Sequence, residues 1–113
     1  MLVTVVETAA YLSRAERMTS PGELMAVVDA IAYDPCANDV IKGSGGLRKL
    51  RIALEGRGKR GGGRIIYWYY NDGFPAVLLW AFAKNEASDL TKQQLSLLAK
   101  AAEGLLEDFG SWR

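Results

Sequence analysis

Histidine is absent from the 113 residues of this chain, and cysteine occurs once, as Cys36. The first absence excludes imidazole acid–base catalysis and every histidine-containing zinc pattern, so a protein metal site would have to be built from carboxylates. The second excludes an internal disulfide, and Cys36 beside Pro35 is expected to be a small packed residue. Long apolar runs are missing as well: the longest, Ala76 to Ala83, is far shorter than the roughly 20 residues that cross a bilayer, so no membrane partner is expected. The opening MLVTVVETAA has no basic lead and reaches Glu7 early, so no signal peptide is expected and the location is read as cytoplasmic. No repeat or low-complexity linker interrupts the chain. Hydrophobic residues make up 50% and charged residues 24%, so residues 1–113 read as a single folded domain with one core.

Acidic residues are scarce in one stretch. From Lys42 to Arg64, KGSGGLRKLRIALEGRGKRGGGR holds eight of the 14 basic residues and one acid, Glu55. The remainder carries six basic against twelve acidic residues, so the formal net charge of +1 conceals a cationic region on an otherwise anionic surface. Such a field attracts polyanions to one place and rejects them elsewhere. A solvated hairpin is the plain alternative for a charge run. Glycines flank the charges in GSGG, GRGK and GGG, however, and glycine lets phosphates approach the backbone amides. The cluster is not a P-loop, because Arg60 rather than Ser or Thr follows Lys59, and nucleotide hydrolysis is excluded.

Periodicity supplies the scaffold. Leu2 to Val6 is β-branched and predicts an opening strand, and Tyr11, Leu12 and Ala15 predict a helix from Thr8 to about Arg17. Ser20, Pro21 and Glu23 form an N-cap, a first-turn proline and a capping-box acid. Leu24, Val27, Val28 and Ile31 then continue a second helix until Pro35. The two helices are expected to pair as a hairpin over one sheet face. Gly46 to Ala53, Arg64 to Tyr70 and Pro75 to Ala83 read as an antiparallel meander, with Gly56 to Gly63 as its first turn. In the first of these strands Arg48, Leu50 and Ile52 should face one way and Lys49, Arg51 and Ala53 the other. Thr91 and Gln94 open a last helix, with Leu95, Leu98, Ala102, Leu106 and Phe109 as its stripe and Gly104 as a weak point. The order β-α-α-β-β-β-α defines an α+β fold with a mostly antiparallel sheet. Trp68, Tyr69, Tyr70, Trp80 and Phe82 read as core rather than as a base-stacking platform, and Trp112 as a frayed end or a contact with a partner.

Three motifs now stand on this order: GGLRKLR, the run Gly58-Lys59-Arg60-Gly61-Gly62-Gly63-Arg64-Ile65-Ile66-Tyr67, and AKNE around Lys84. Together they resemble the RelE/HigB-like toxins of type II toxin–antitoxin systems, in the branch with a G-K-R-G-G-x-R-hydrophobic-hydrophobic-Tyr motif. The resemblance covers nearly the whole chain and implies a RelE-like fold. It also implies an endoribonuclease that needs no cofactor and cuts messenger RNA in the ribosomal A site, the 2′-hydroxyl attacking to leave a 2′,3′-cyclic phosphate. Implied partners are the message and ribosomal RNA, a cognate antitoxin of helix-turn-helix type, and operator DNA only through that antitoxin.

Carried over residue by residue, the resemblance makes Arg64 the stabiliser of the charged transition state, a task that suits a guanidinium fork. Lys49 and Arg51 bind the phosphodiester or assist proton transfer, and Lys84 completes the catalytic set. Arg48, Arg57, Lys59, Arg60 and Tyr67 are RNA-binding candidates, with Lys59 and Arg60 placed in the turn and Tyr67 either stacking on a base or packing in the core. The four catalytic candidates are expected to share one outward-facing cup. No tyrosine follows Tyr70, where some relatives have one, so the base is left among a lysine, a carboxylate such as Glu86 or Asp89, and positioning alone. The alternative is a non-catalytic RNA-binding module, or an inactive relative acting through antitoxin and operator.

Overall fold

The computed structural model describes residues 2–54, 58–84 and 89–111, with the backbone alone for 58–61 and 111. Seven elements follow in order: β1 (Val5–Glu7), α1 (Ala9–Met18), α2 (Pro21–Tyr33), β2 (Leu47–Leu54), β3 (Gly58–Trp68), β4 (Ala76–Ala83) and α3 (Lys92–Ser111). This is the expected order, and the capping signals account for the helix starts. Thr8 Oγ1 accepts from the Tyr11 amide, Ser20 and Glu23 close a capping box, and Thr91 and Gln94 exchange the equivalent pair of hydrogen bonds.

The sheet order is β1-β4-β3-β2, with β1 parallel to β4 and the other pairings antiparallel. Two expectations about its edges change. β3 begins at Gly58, so Lys59 and Arg60 lie on a strand position rather than in a turn. The apolar repeat on α3 runs through Leu105, which packs, while Leu106 is 37% exposed. The spacing 95, 98, 102, 105, 109 holds one helical face, and Leu106 falls one step off it.

Each sheet face has its own core. Ile65, Tyr67, Tyr69, Leu78 and Ala81 meet Tyr11, Ala15, Val27 and Ile31 under the α1–α2 hairpin. Leu47, Ile66, Trp68, Val77, Leu79 and Phe82 meet Ala102 and the apolar stripe of α3. A register shift opposite Ile66 and Tyr67 pairs them with Trp80 and Leu78, leaving Leu79 as the extra residue. That bulge lets Leu79 and Trp80 both serve the α3 face without turning Leu78 out of the hairpin core.

Glycines in the loop before β2 serve the backbone. Gly43, Gly45 and Gly46 have φ of 73°, 71° and 103°, a region that side chains disfavour. Between them Ser44 is buried, its Oγ accepting from the Leu47 amide. Gly63 meets α1 more closely: a Cβ there would stand 2.5 Å from Met18 Cε and 3.2 Å from Ile52 Cγ1, so a side chain would displace the Met18 tip and press on Ile52. Cys36, expected to be packed, is exposed on the loop after α2.

Candidate nucleic-acid interface on the α3 face

Register brings the basic residues of two strands to adjacent positions. Arg51 stands opposite Arg64 across the β2–β3 pair, and Arg64 stands opposite Phe82 across the β3–β4 pair. Lys49, two residues before Arg51 and opposite Ile66, shares their face. Lys84 follows β4 two residues beyond Phe82, the next position on that side, and its amide donates to the Gly62 carbonyl at 2.9 Å. The α3 face is therefore divided along its length. Its apolar part lies under α3, and its cationic part carries Lys49, Arg51, Arg64 and Lys84.

Like charges directly opposite on neighbouring strands destabilise a sheet. The Arg51–Arg64 juxtaposition is thus a local conflict of the kind expected where function, not folding, selects the residue. Arg64 departs from the expected outward cup. It is 4% exposed, and its Nη1 donates to the Gly63 carbonyl at 3.0 Å, so it forms the floor of the site. Burial of this kind fixes the guanidinium before any ligand arrives. Lys84 and Arg51 are exposed and form the walls.

Asp89 meets the same cluster from the lead into α3. Its Oδ1 lies 3.4 Å from Lys49 Nζ, with side chains 62% and 26% exposed respectively, and it also accepts from the Leu90 amide. Among the described residues this is a carboxylate that reaches the cationic face. Its partner in the sequence reading, Glu86, lies outside the described residues, as does Arg57. The side chains of Lys59 and Arg60 are outside them too. Among the described residues no group of three or more metal-ligating side chains is placed to hold an ion.

Two RNA-binding candidates belong elsewhere. Tyr67 is fully buried in the hairpin core, where its hydroxyl donates to the Pro35 carbonyl at 2.7 Å and accepts from Asn38 Nδ2 at 3.2 Å. Burial, opposed by the Asn38 hydrogen bond and the nearby Arg48, holds its pKa above the ordinary tyrosine value. A ring sealed in this way cannot stack on a base. Arg48, opposite Tyr67 on the same face, donates from Nη1 to the carbonyls of Asn38 at 2.6 Å and Cys36 at 3.4 Å. Both side chains pin the loop after α2 on the face opposite the cationic cluster. The alternation of β2 already put Arg48 with Leu50 and Ile52, and that was the signal against grouping it with Lys49.

Sequence reading missed a cleft. It opens at the outer edge of β2, has a volume of about 610 Å³, and is lined by Asp39, Val40, Ile41 and Lys42 together with Lys49 and Arg51. Nothing in the short loop ANDVIK marks it, because the cleft exists only where that loop leaves the edge of β2 after the Val40–Arg48 bridge.

A four-stranded mixed sheet thus carries a helical hairpin on one face and a C-terminal helix on the other, with Lys49, Arg51, Arg64 and Lys84 gathered beyond that helix. Residues 9–109 match the sequence profile of a family described as the RelE toxin of the RelE/RelB toxin–antitoxin system. The chain belongs to the RelE toxin family and is the toxin partner of a toxin–antitoxin pair. Its fold is similar to that of a free-state E. coli toxin RelE carrying two arginine-to-alanine substitutions. The two share 13% identity at a TM-score of 0.57, with 89% of this chain and 97% of the other covered.

Proposed function

We propose that this toxin is a ribosome-dependent endoribonuclease that stops translation by cutting messenger RNA in the A site. The observation that carries the proposal is the placement of Lys49, Arg51 and Arg64 at neighbouring positions of one sheet face, with Lys84 at its end. Phosphate oxygens bind at Arg51 and Arg64, and the buried Arg64 fork is aimed where charge develops in the transition state. The 2′-oxygen attacks the adjacent phosphorus and the bond from phosphorus to the 5′-oxygen breaks. Asp89 takes the 2′-hydroxyl proton, oriented by Lys49, and the Lys84 ammonium gives a proton to the departing 5′-oxygen. The products are a 2′,3′-cyclic phosphate and a 5′-hydroxyl, with both protons accounted for on side chains of this chain. The cognate antitoxin in this reading is a helix-turn-helix protein that brings the toxin to operator DNA, and the site of action is the cytoplasm.

Mapping transcript 5′ ends after brief induction tests this directly. New ends that require active translation, and that vanish with Arg64→Ala while the folded protein accumulates, are expected. RNA binding without new ends under active translation would sink the nuclease reading and favour a binding module.

A further inference from the structure

The cleft at the β2 edge shares two of its walls with the proposed nuclease site, and its other wall is built from residues that no step above uses. Lys42, Lys49 and Arg51 give it three cations, and the half-buried Ile41, which packs on the α3 face, gives it an apolar wall. Asp39 lines the same space, is exposed, and has no side-chain partner among the described residues. Its backbone is fixed, however, because its carbonyl accepts from the Lys49 amide at 3.4 Å. Its neighbour Asn38 is tied to Tyr67 and Arg48. A carboxylate among cations, held by a pinned loop and left unpaired, weakens non-specific attraction to RNA. Such a group has to be explained by what it accepts from.

We propose that this cleft seats the base next to the gripped phosphate and that Asp39 selects guanine. The inference rests on the RNA-cutting reading and deepens it. Lys49 and Arg51 hold the backbone at the shared wall, so the attached base reaches into the cleft, where Ile41 covers one face of it. On its Watson–Crick edge guanine alone presents two adjacent donors, N1–H and the N2 amino group, which match the two oxygens of a carboxylate. Adenine and cytosine each pair one amino donor with an acceptor nitrogen that repels a carboxylate, and uracil flanks its single N–H with two carbonyls. Unpaired single-stranded RNA exposes that edge to protein side chains.

Fluorescence anisotropy of the full-length protein with five-nucleotide RNAs, uridines flanking one variable central base, tests the assignment without requiring cleavage. The guanine oligonucleotide should bind roughly tenfold more tightly than the other three, the range a good bidentate base contact gives. Asp39→Asn should remove that preference while leaving the all-uridine affinity as strong or stronger, because a repelling charge is lost. Equal affinity for the four bases, or a guanine preference that survives in Asp39→Asn, overturns the proposal. Codon mapping on translating ribosomes separates the two readings. Cuts whose codon preference is the same in wild type and Asp39→Asn refute the guanine subsite alone, whereas guanine-selective binding without any cuts refutes the nuclease and retains the subsite.

Discussion

The two faces of this sheet use polar groups in opposite ways. On the hairpin face the Tyr67 hydroxyl and Arg48 Nη1 donate to backbone carbonyls of Pro35, Cys36 and Asn38, while Arg48 Nε and the Tyr11 hydroxyl are buried without a partner among the described residues. Toward the end of the α3 face, Arg51 faces Arg64 across one strand pair, and Lys49 meets an exposed carboxylate. One face seals its polar groups from solvent beneath the helical hairpin, and the other keeps its cations clustered against their mutual repulsion. A buried unpaired polar group costs stability, and clustered cations cost it too. The hairpin face bears the first cost at Arg48 Nε and at the Tyr11 hydroxyl, and the α3 face bears the second where a polyanion would relieve it.

The sharpest way to break this comparison is to open the cores themselves. Ile65 and Ile66 are adjacent, both fully buried, and point to opposite faces. Alanine at either position should cost roughly 2–5 kcal/mol in denaturant unfolding. Equal loss at the two sites would show that the cationic end does not loosen the α3 core.

Next in size, Tyr67→Phe and Lys49→Met should separate stability from activity. Removing the Tyr67 hydroxyl leaves the Pro35 carbonyl and the Asn38 amide short of a partner, for a loss of roughly 1–2 kcal/mol with cleavage per folded molecule unchanged. Lys49→Met keeps the stem and removes a partly exposed ion pair worth at most about 1 kcal/mol. Cleavage should nonetheless fall by roughly tenfold to a hundredfold. Activity loss in Tyr67→Phe at full stability would erase the distinction between the faces.

Alkaline titration reads the hairpin core through its tyrosines. Burial, with Glu7 adding to it, pushes Tyr11 up to about 12, and the hydrogen bond donated to Asp72, followed by burial, raises Tyr69 to about 12. Unfolded tyrosine titrates near about 10, so the folded state holds these protons more tightly. Their contribution is complete below about pH 10 and is lost as pH rises toward about 12. Unfolding midpoints should therefore be flat across neutral pH and drop in that window. Tyr69→Phe, which retains the ring and removes the titrating group, should make the drop shallower.

The smallest effect tests α3 alone. A Cβ at Gly104 would meet no atom within 4 Å, so Gly104→Ala should stabilise the protein by roughly 0.5–1 kcal/mol with cleavage unchanged. Thermal unfolding would show the gain.

Local signals made much of the architecture readable. Capping boxes at Ser20 and Thr91, proline at position 21, and the breaker-free RIIYWYY gave the elements because each depends on neighbours within a few residues. The extent of β3 was hidden, since glycine-rich GKRGGG has turn composition, and only pairing of Leu54 with Gly58 makes it a strand. Exposure of Cys36 was likewise illegible, depending on how the loop crosses the sheet edge.

Composition and spacing by themselves determined that cations cluster between Lys42 and Arg64, that Lys49 and Arg51 share a strand face, and that imidazole chemistry is absent. Those properties belong to residue type and to the two-residue period of a strand. Tertiary structure alone decided that Arg64 is buried beside an exposed Arg51, that Tyr67 is sealed from RNA, and that Asp39 and Asp89 come to the cationic face from distant loops. These depend on register and on where loops leave the sheet, which arise from packing between segments far apart in the chain.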